Sequence, residues 1–288
     1  MEDIKKILED TTGAAVDNIA TTDQDLSVGQ MYQQKALPSL GREIFSVVQM
    51  EGPTAALFNI KKDSLTNKFV LLRNEAEVFP SESINTGLTR EVIQDIKSQY
   101  GTEAKNVIGT LLRGLSNEQE NTKTLEFLES NCLAEAGINL ETSTNKVEAN
   151  YMNLIQKIQE LISRANSKNQ RTFEAFAVVP YKCASGVQTL SKYLGGDVDS
   201  SGLYIGNHGK TKFYLNPDST SETVYVGLKD ENNMSKSSAV FAPFADDIVE
   251  AQDPDTGEVN FFIFNRFSIT ASPLHEVDNE MLFKFSIA

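Results

Sequence analysis

Hydrophobic positions are sparse over residues 1–36, where Thr, Asp and Gln dominate and only Ile4, Ile7 and Leu8 keep a helical spacing. That stretch predicts an arm rather than a part of a core. From Leu37 the pattern turns apolar (Leu40, Ile44, Phe45, Val47, Val48) until Gly52-Pro53 interrupts it. Proline fixes its own φ and glycine tolerates strained backbone, so this pair predicts a rigid elbow. Thr54–Ile60 and Phe69–Leu72 alternate as strands around the polar "KKDSLTN", and 73–87 reads as a mostly polar return. Residues 61–88 therefore predict an extended two-stranded loop with little core of its own.

Helical periodicity follows. Thr89 is placed to cap Arg90–Tyr100, with Val92, Ile93, Ile96 and Tyr100 on one face. Gly101 ends that helix. Residues 102–135 then predict one long helix carrying Ile108, Leu111, Leu112 and Leu115, and later Leu125, Leu128 and Cys132, with a kink expected near Ser116. Gly109 and Gly114 weaken it by ~1 kcal/mol each relative to alanine. A third helix is written in Tyr151, Leu154, Ile155, Ile158, Leu161 and Ile162. Phe173–Pro180 predicts a buried strand and Cys183–Leu194 a short helix. From Ser200 the pattern is strands and turns: "KFYL", "TVYVGL", "AVFAPF", "VNFFIFNRFSIT" and "MLFKFSIA". Runs of helix followed by runs of strand predict an α+β chain rather than a doubly wound sheet.

Composition narrows the function more than the fold. The 288 residues suffice for a large core or two subdomains. With 26 basic against 40 acidic residues the net charge is −14, and no Lys/Arg cluster breaks the acidic surface. Such a surface repels phosphate backbones, so sequence-specific nucleic-acid binding is not expected. Cys132 and Cys183 are the only cysteines, too few for a disulfide framework or a zinc site. No apolar run approaches the ~20 residues of a membrane span. Met1–Lys6 lacks the apolar stretch of a signal peptide, so a protein used without secretion is expected.

Candidate chemistry fails on spacing. Gly209-Lys210-Thr211 ends like a phosphate-binding loop, but Tyr204 stands where the first glycine belongs; Gly206 is too near and Gly202 too far. Asp197, Asp199, Ser201 and Gly202 follow the order of a calcium loop, yet His208 replaces its bidentate glutamate. Asp253, Asp255 and Glu258 read equally as a tight turn. His275-Glu276 and Asp246-Asp247 have no nucleophile elbow to serve. Cys183 opens a helix, a place that can lower a thiol pKa, and also a common place for a small buried residue. No catalytic residue, cofactor or metal site is expected.

What explains the elbow is a resemblance. "VQMEGPTAALFNIK" resembles the Gly-Pro-Thr segment with which major capsid proteins of tailed bacteriophages, specifically the T-even-like myovirus branch, enter their extended loop. "TREVIQDIKSQYGTEAKNVIGTLLRGLSNEQENTKTLEFL" is similar to that family's short helix and long spine helix, starting near Glu103-Ala104. Val226-Gly227-Leu228-Lys229, Ser238–Phe244, Asp253–Gly257 and Phe264–Ile269 match its closing segment in order and spacing. The resemblance covers about residues 40–270. It departs from the family in lacking an inserted domain and an evident propeptide.

The resemblance implies the Hong Kong 97-type capsid fold. Residues 1–36 become an N-arm and 54–88 the extended loop. The strands at 37–53 and 256–288, with 89–145, form a peripheral domain with the spine helix 102–135, and 146–255 an axial domain. Gly52, Pro53 and Gly87 at the loop base, and Gly109 and Gly114 in the spine, become hinges. The partner is the chain itself, in homo-pentamers and homo-hexamers of an icosahedral head around double-stranded DNA, with portal, scaffold or decoration proteins as further partners. The place is the virion capsid, assembled in the bacterial host cytoplasm. Crosslinking through Lys61, Lys62 or Lys68, known in relatives, is not expected in this branch. An encapsulin-like cargo compartment or another virion structural protein are the alternatives.

Overall fold

The computed structural model describes residues 37–62, 69–79, 82–100, 104–140, 147–169, 174–193, 202–229, 237–254, 259–273, 275 and 281–287. The expected N-arm, the calcium-like order at 197–202 apart from Gly202, and most of 253–258 lie outside them.

Two sheets and one long helix organise the described chain. α1 (Leu40–Ile44) and β1 (Ser46–Val47) lead into the hairpin β2 (Thr54–Lys62) and β3 (Phe69–Glu77), then β4 (Glu82–Leu88). α2 (Arg90–Tyr100), the spine helix α3 (Ala104–Asn131) and β5 (Leu133–Ala134) follow. Next come α4 (Val147–Asn169), β6 (Glu174–Val179), α5 (Tyr181–Tyr193), β7 (Tyr204–His208), β8 (Thr211–Leu215) and β9 (Thr223–Lys229). β10 (Ala239–Gln252), β11 (Val259–Ala271) and β12 (Leu282–Ser286) complete the order.

The outer sheet has the strand order β1-β10-β11-β4, and the inner sheet β5-β12-β9-β6-β8-β7. β2 and β3 pair only with each other. The inner sheet is covered by α4 and α5, whose Leu154, Ile158, Leu161 and Val187 bury against Ala177, Val226 and Phe283. α3 lies on the outer sheet, with Ile108 and Leu112 against Phe261 and Ile263. A third cluster joins the two: Leu40, Ile44 and Phe45 meet Phe176, Tyr225, Phe241 and Phe267. Two close approaches tighten this part, one between strands β6 and β9 and one between helices α4 and α5. A Cβ on Gly227 would come within 2.4 Å of the Phe176 ring, and one on Gly186 within 2.2 Å of the Tyr151 ring.

Several expectations change here. The stretch 37–53, expected as strand, begins with a helix: Leu40 and Ile44, four apart, both bury completely. Residues 82–88 are not loop but β4, which pairs along β11 and buries Leu88. Strand pairing divides the C-terminal strands between the two sheets. β10 pairs with β1 and β11 in the outer sheet, while the C-terminal β12 pairs with β9 and β5 in the inner one. Both strands are apolar on their buried positions, so their sequence fits either sheet; only the non-local partner decides. β10 is also longer than its apolar stretch, and its Pro243 sits beside the bulge at Phe244, where a missing N–H costs least. α3 continues through Ser116 as a single helix.

Candidate assembly surfaces

The β2–β3 hairpin has two unlike faces. One face carries Ala55, Leu57, Asn74 and Ala76 and turns toward the body. There Asn74 Nδ2 donates to the Ala271 carbonyl at 2.9 Å, and Leu72, on the same side, packs against the inner core. Val78 N–H donates to Pro53 O at 3.1 Å, and Phe79 N–H to Phe267 O at 2.9 Å, with their rings 5.4 Å apart. A cavity of about 260 Å³, lined by Val48, Met50, Leu57, Ala76, Val240 and Ala242, lies under the base. The other face carries Ala56, Phe58, Leu71 and Arg73, all exposed. Phe58 is 56% and Leu71 62% exposed, the two most exposed large apolar side chains among the described residues. A two-stranded ribbon with open edges and an apolar outer face is built to be covered.

The expected hinges are spread along this path and do not meet at one point. Gly52 and Pro53 form the bend before β2, where a Cβ on Gly52 would find only Thr54 O at 3.8 Å. Gly87 pairs with Asn260 inside the outer sheet. Gly109 faces β10: a Cβ there would stand 3.1 Å from Ile248 Cδ1. Gly114 is half-buried in mid-helix. Positive φ occurs instead at Gly202, Gly206 and Gly209.

Among the described residues the other sequence candidates sit in a hairpin turn and in the core. "GNHGKT" is the β7–β8 hairpin, whose Gly209 takes φ 60° in the turn, and a strand follows it. Cys183 is fully buried, and burial pushes its thiol up to about 11; the Cys132 thiol is raised further by the same cause. Neither is poised as a nucleophile. Among the described residues no three His, Cys, Asp or Glu side chains converge as a metal site. His275 is buried, with Nε2 3.0 Å from the Asn131 carbonyl at the end of α3. A carbonyl only accepts, so Nε2 carries the proton, and burial holds the pKa below the usual histidine range.

Three residues of α3, Glu129, Glu120 and Asn121, make contacts that have no counterpart in the sequence reading. At the end of α3, Lys284 Nζ donates to the Glu129 carbonyl at 2.7 Å and also pairs with its carboxylate. Tyr225 Oη donates to Glu129 Oε2 at 3.0 Å, which ties the helix to the inner sheet. The Lys284 hydrogen bond, against the pull of burial, holds the Glu129 carboxyl below the usual range. In mid-helix Glu120 is fully buried and takes a bidentate contact from Arg42, at 2.8 and 3.0 Å. The next residue, Asn121, accepts through Oδ1 from Leu40 N–H at 2.6 Å while its Nδ2 donates to Pro38 O at 3.3 Å. The signal available was spacing: Ile108, Leu112, Ser116, Glu120, Thr124, Leu128 and Cys132 stand every fourth residue, and all are buried.

Solved structures share this architecture. The Mycobacterium phage Bobi structure aligns over 92% of this chain and 95% of its own, with TM-score 0.56 and 10% identity. The mature capsid of bacteriophage PhiM1 aligns over 87% of each chain, with TM-score 0.51 and 10% identity. The virus-like particle from Pyrococcus furiosus aligns over 86% of this chain and 92% of its own, with TM-score 0.54 and 13% identity. No curated protein matches the sequence at a significant level. The arm-like hairpin, the spine helix over a sheet and the second, helix-covered sheet make up the Hong Kong 97-type fold.

The family model of the major capsid protein Gp23 matches residues 68–285, which is 218 of the 288. The chain belongs to that family. It is a structural major capsid protein of tailed bacteriophages, not an enzyme, and it self-associates into the shell of the virion.

Proposed function

We propose that identical copies close into pentamers and hexamers of an icosahedral head around double-stranded DNA, by head-to-tail contacts whose rotation closes. The observation that carries this reading is the outer face of the β2–β3 hairpin. Phe58 and Leu71 are exposed on a ribbon whose other face is already spent on its own chain, so the surface that covers them belongs to a second copy. In this reading the outer sheet with α3 is the peripheral part of the subunit and the inner sheet with α4 and α5 the axial part. Gly52, Pro53 and Gly87 set the hairpin base, and Gly109 and Gly114 give α3 its compliance, so one chain fits both ring sizes. Assembly takes place in the bacterial cytoplasm, with portal, scaffold and decoration proteins as further partners. The net charge of −14 suits a wall that must not adhere to its packed DNA.

Electron microscopy of the purified chain and of Phe58→Asp/Leu71→Asp tests the reading. Closed shells or capsomer-sized rings are expected from the wild type. The double variant is expected to stay folded by circular dichroism and remain unassembled. A wild type that stays a monomer of about 32 kDa at all concentrations overturns the reading. The likeness to a virus-like particle keeps a cargo compartment as the second reading. DNA inside particles from infected cells supports the head; cargo protein without DNA supports the compartment.

A further inference from the structure

The spine helix carries a buried carboxylate, Glu120, that a shell wall does not obviously need. It lies in a row of polar groups that all face one segment of chain. Asn117 Nδ2 donates to the Leu37 carbonyl at 2.9 Å, and Asn121 reads Pro38 and Leu40 through their main-chain atoms. Glu120 then takes the Arg42 guanidinium, which also lies 5.4 Å from the Phe241 ring centre. Below them Gly41 lets the segment close down; a Cβ there would stand 2.7 Å from Thr124 Oγ1 and 2.8 Å from the Phe241 ring. The same segment binds elsewhere too. The Glu43 carbonyl accepts from Tyr214 Oη at 3.3 Å and from Lys229 Nζ, both in the inner sheet. Ser46 pairs its hydroxyl with Ser237, and β1 adds in parallel to β10 of the outer sheet.

We infer that residues 37–47 are a keystone coupling the chain before Leu37 to the spine helix and to the angle between the two sheets, with Arg42 on Glu120 as its register pin. The asparagines contact main-chain atoms, which nearly every residue offers, so they hold the start of the segment without choosing a register. Arg42 chooses one: a slip by one residue removes the only guanidinium that reaches the buried carboxylate and lifts Leu40 and Ile44 out of the core. Residues 1–36 attach directly to the end of this segment. Whatever holds or pulls them acts on α3 and on both sheets through the keystone, and not on a free tail. The lever role rests on the shell reading; the keystone itself does not.

Hydrogen exchange of the full-length unassembled chain, read by mass spectrometry, tests the anchor first. In Arg42→Ala, amides of 38–47 are expected to exchange about ten- to a hundredfold faster, the loss of one charge-assisted contact, with β6 and β9 unchanged. Asn117→Ala, a mild change at the helix surface, is expected to speed only 37–40. Unchanged exchange at 38–47 in Arg42→Ala overturns the inference. If Arg42→Ala unfolds the chain, Asn117→Ala decides alone, and no local acceleration there overturns the inference as well. Particle diameters by electron microscopy test the lever. Arg42→Lys is expected to broaden the size distribution, and a distribution identical to wild type, with 38–47 loosened, overturns the coupling. If the wild type forms no shells, the shell reading fails while the exchange result still decides the keystone.

Discussion

His275 and Glu129 sit at the same helix end and give stability a two-step acid dependence. Burial depresses the His275 pKa relative to its unfolded value near 6.5, so the neutral ring is the one the fold accepts. Protonation would put a second proton on Nδ1, which has no partner among the described residues. Its contribution is complete above about pH 6.5 and is lost as pH falls from there toward the folded pKa. The Glu129 carboxyl is also held low, chiefly by the Lys284 hydrogen bond, so its contribution is present above the ordinary carboxylate range and is lost below it. Denaturant midpoints of the unassembled chain are expected to fall from about pH 6.5 downward, and again below about pH 4.5. His275→Gln is expected to flatten the first step and leave the second. A wild-type midpoint that stays level between pH 7 and 5 contradicts this account.

At Arg42 the sign of the change is set by burial. Removing the guanidinium leaves the fully buried Glu120 carboxyl without its partner, at a cost of roughly 3 kcal/mol. Arg73, paired with Glu75 at 2.7 Å with both side chains exposed, is the control: Arg73→Ala is expected to cost less than ~1 kcal/mol in the unassembled chain. Gly227→Ala drives a methyl into the buried Phe176 ring and Leu282, and is expected to cost ~1–3 kcal/mol. Urea titration gives all three.

At the scale of elements, α3 shows how far periodicity carries. Its 28 residues span about 42 Å. The apolar positions made the helix legible, and Thr89 was legible as the start of α2, where its hydroxyl lies 3.4 Å from Val92 N. Which face is buried was not. Leu111 and Leu112 look alike in sequence, yet Leu111 is 42% exposed and Leu112 2%. The buried row steps by four, the slanted ridge a helix lays across its neighbour, and its middle members are Ser116, Glu120 and Thr124. A hydrophobicity pattern reads such residues as solvent-facing: Thr124 Oγ1 donates back to the Glu120 carbonyl at 2.6 Å, and Arg42, the partner of the Glu120 carboxylate, lies 78 positions away. Leu112→Ala is expected to cost ~2–5 kcal/mol and Leu111→Ala under ~1 kcal/mol, by the same titration. Equal costs would mean that α3 does not lie on the outer sheet as described. The hairpin was legible as strands flanking a polar tip. That one face would anchor through Asn74 and Leu72, leaving Phe58 and Leu71 for a partner, was not.

At the scale of the molecule, the two thiols report on integrity. Both are buried and both are raised by that burial, so the native chain is expected to resist alkylation at pH 8. Two equivalents are expected to react in denaturant; rapid labelling of either thiol in buffer would show that its core opens readily.

The sequence by itself determined the class of the chain, α+β with an extended loop and one long helix, because periods of two and near four are local properties. It also offered no complete spacing for nucleotide, calcium or nucleophilic chemistry. The order of its motifs sufficed for the family. Only the tertiary structure decided which sheet took β10 and β12, and what Glu120 and Asn121 are for. Both depend on partners far away in the chain, and a buried polar group or a two-faced strand carries no mark of the partner that will satisfy it.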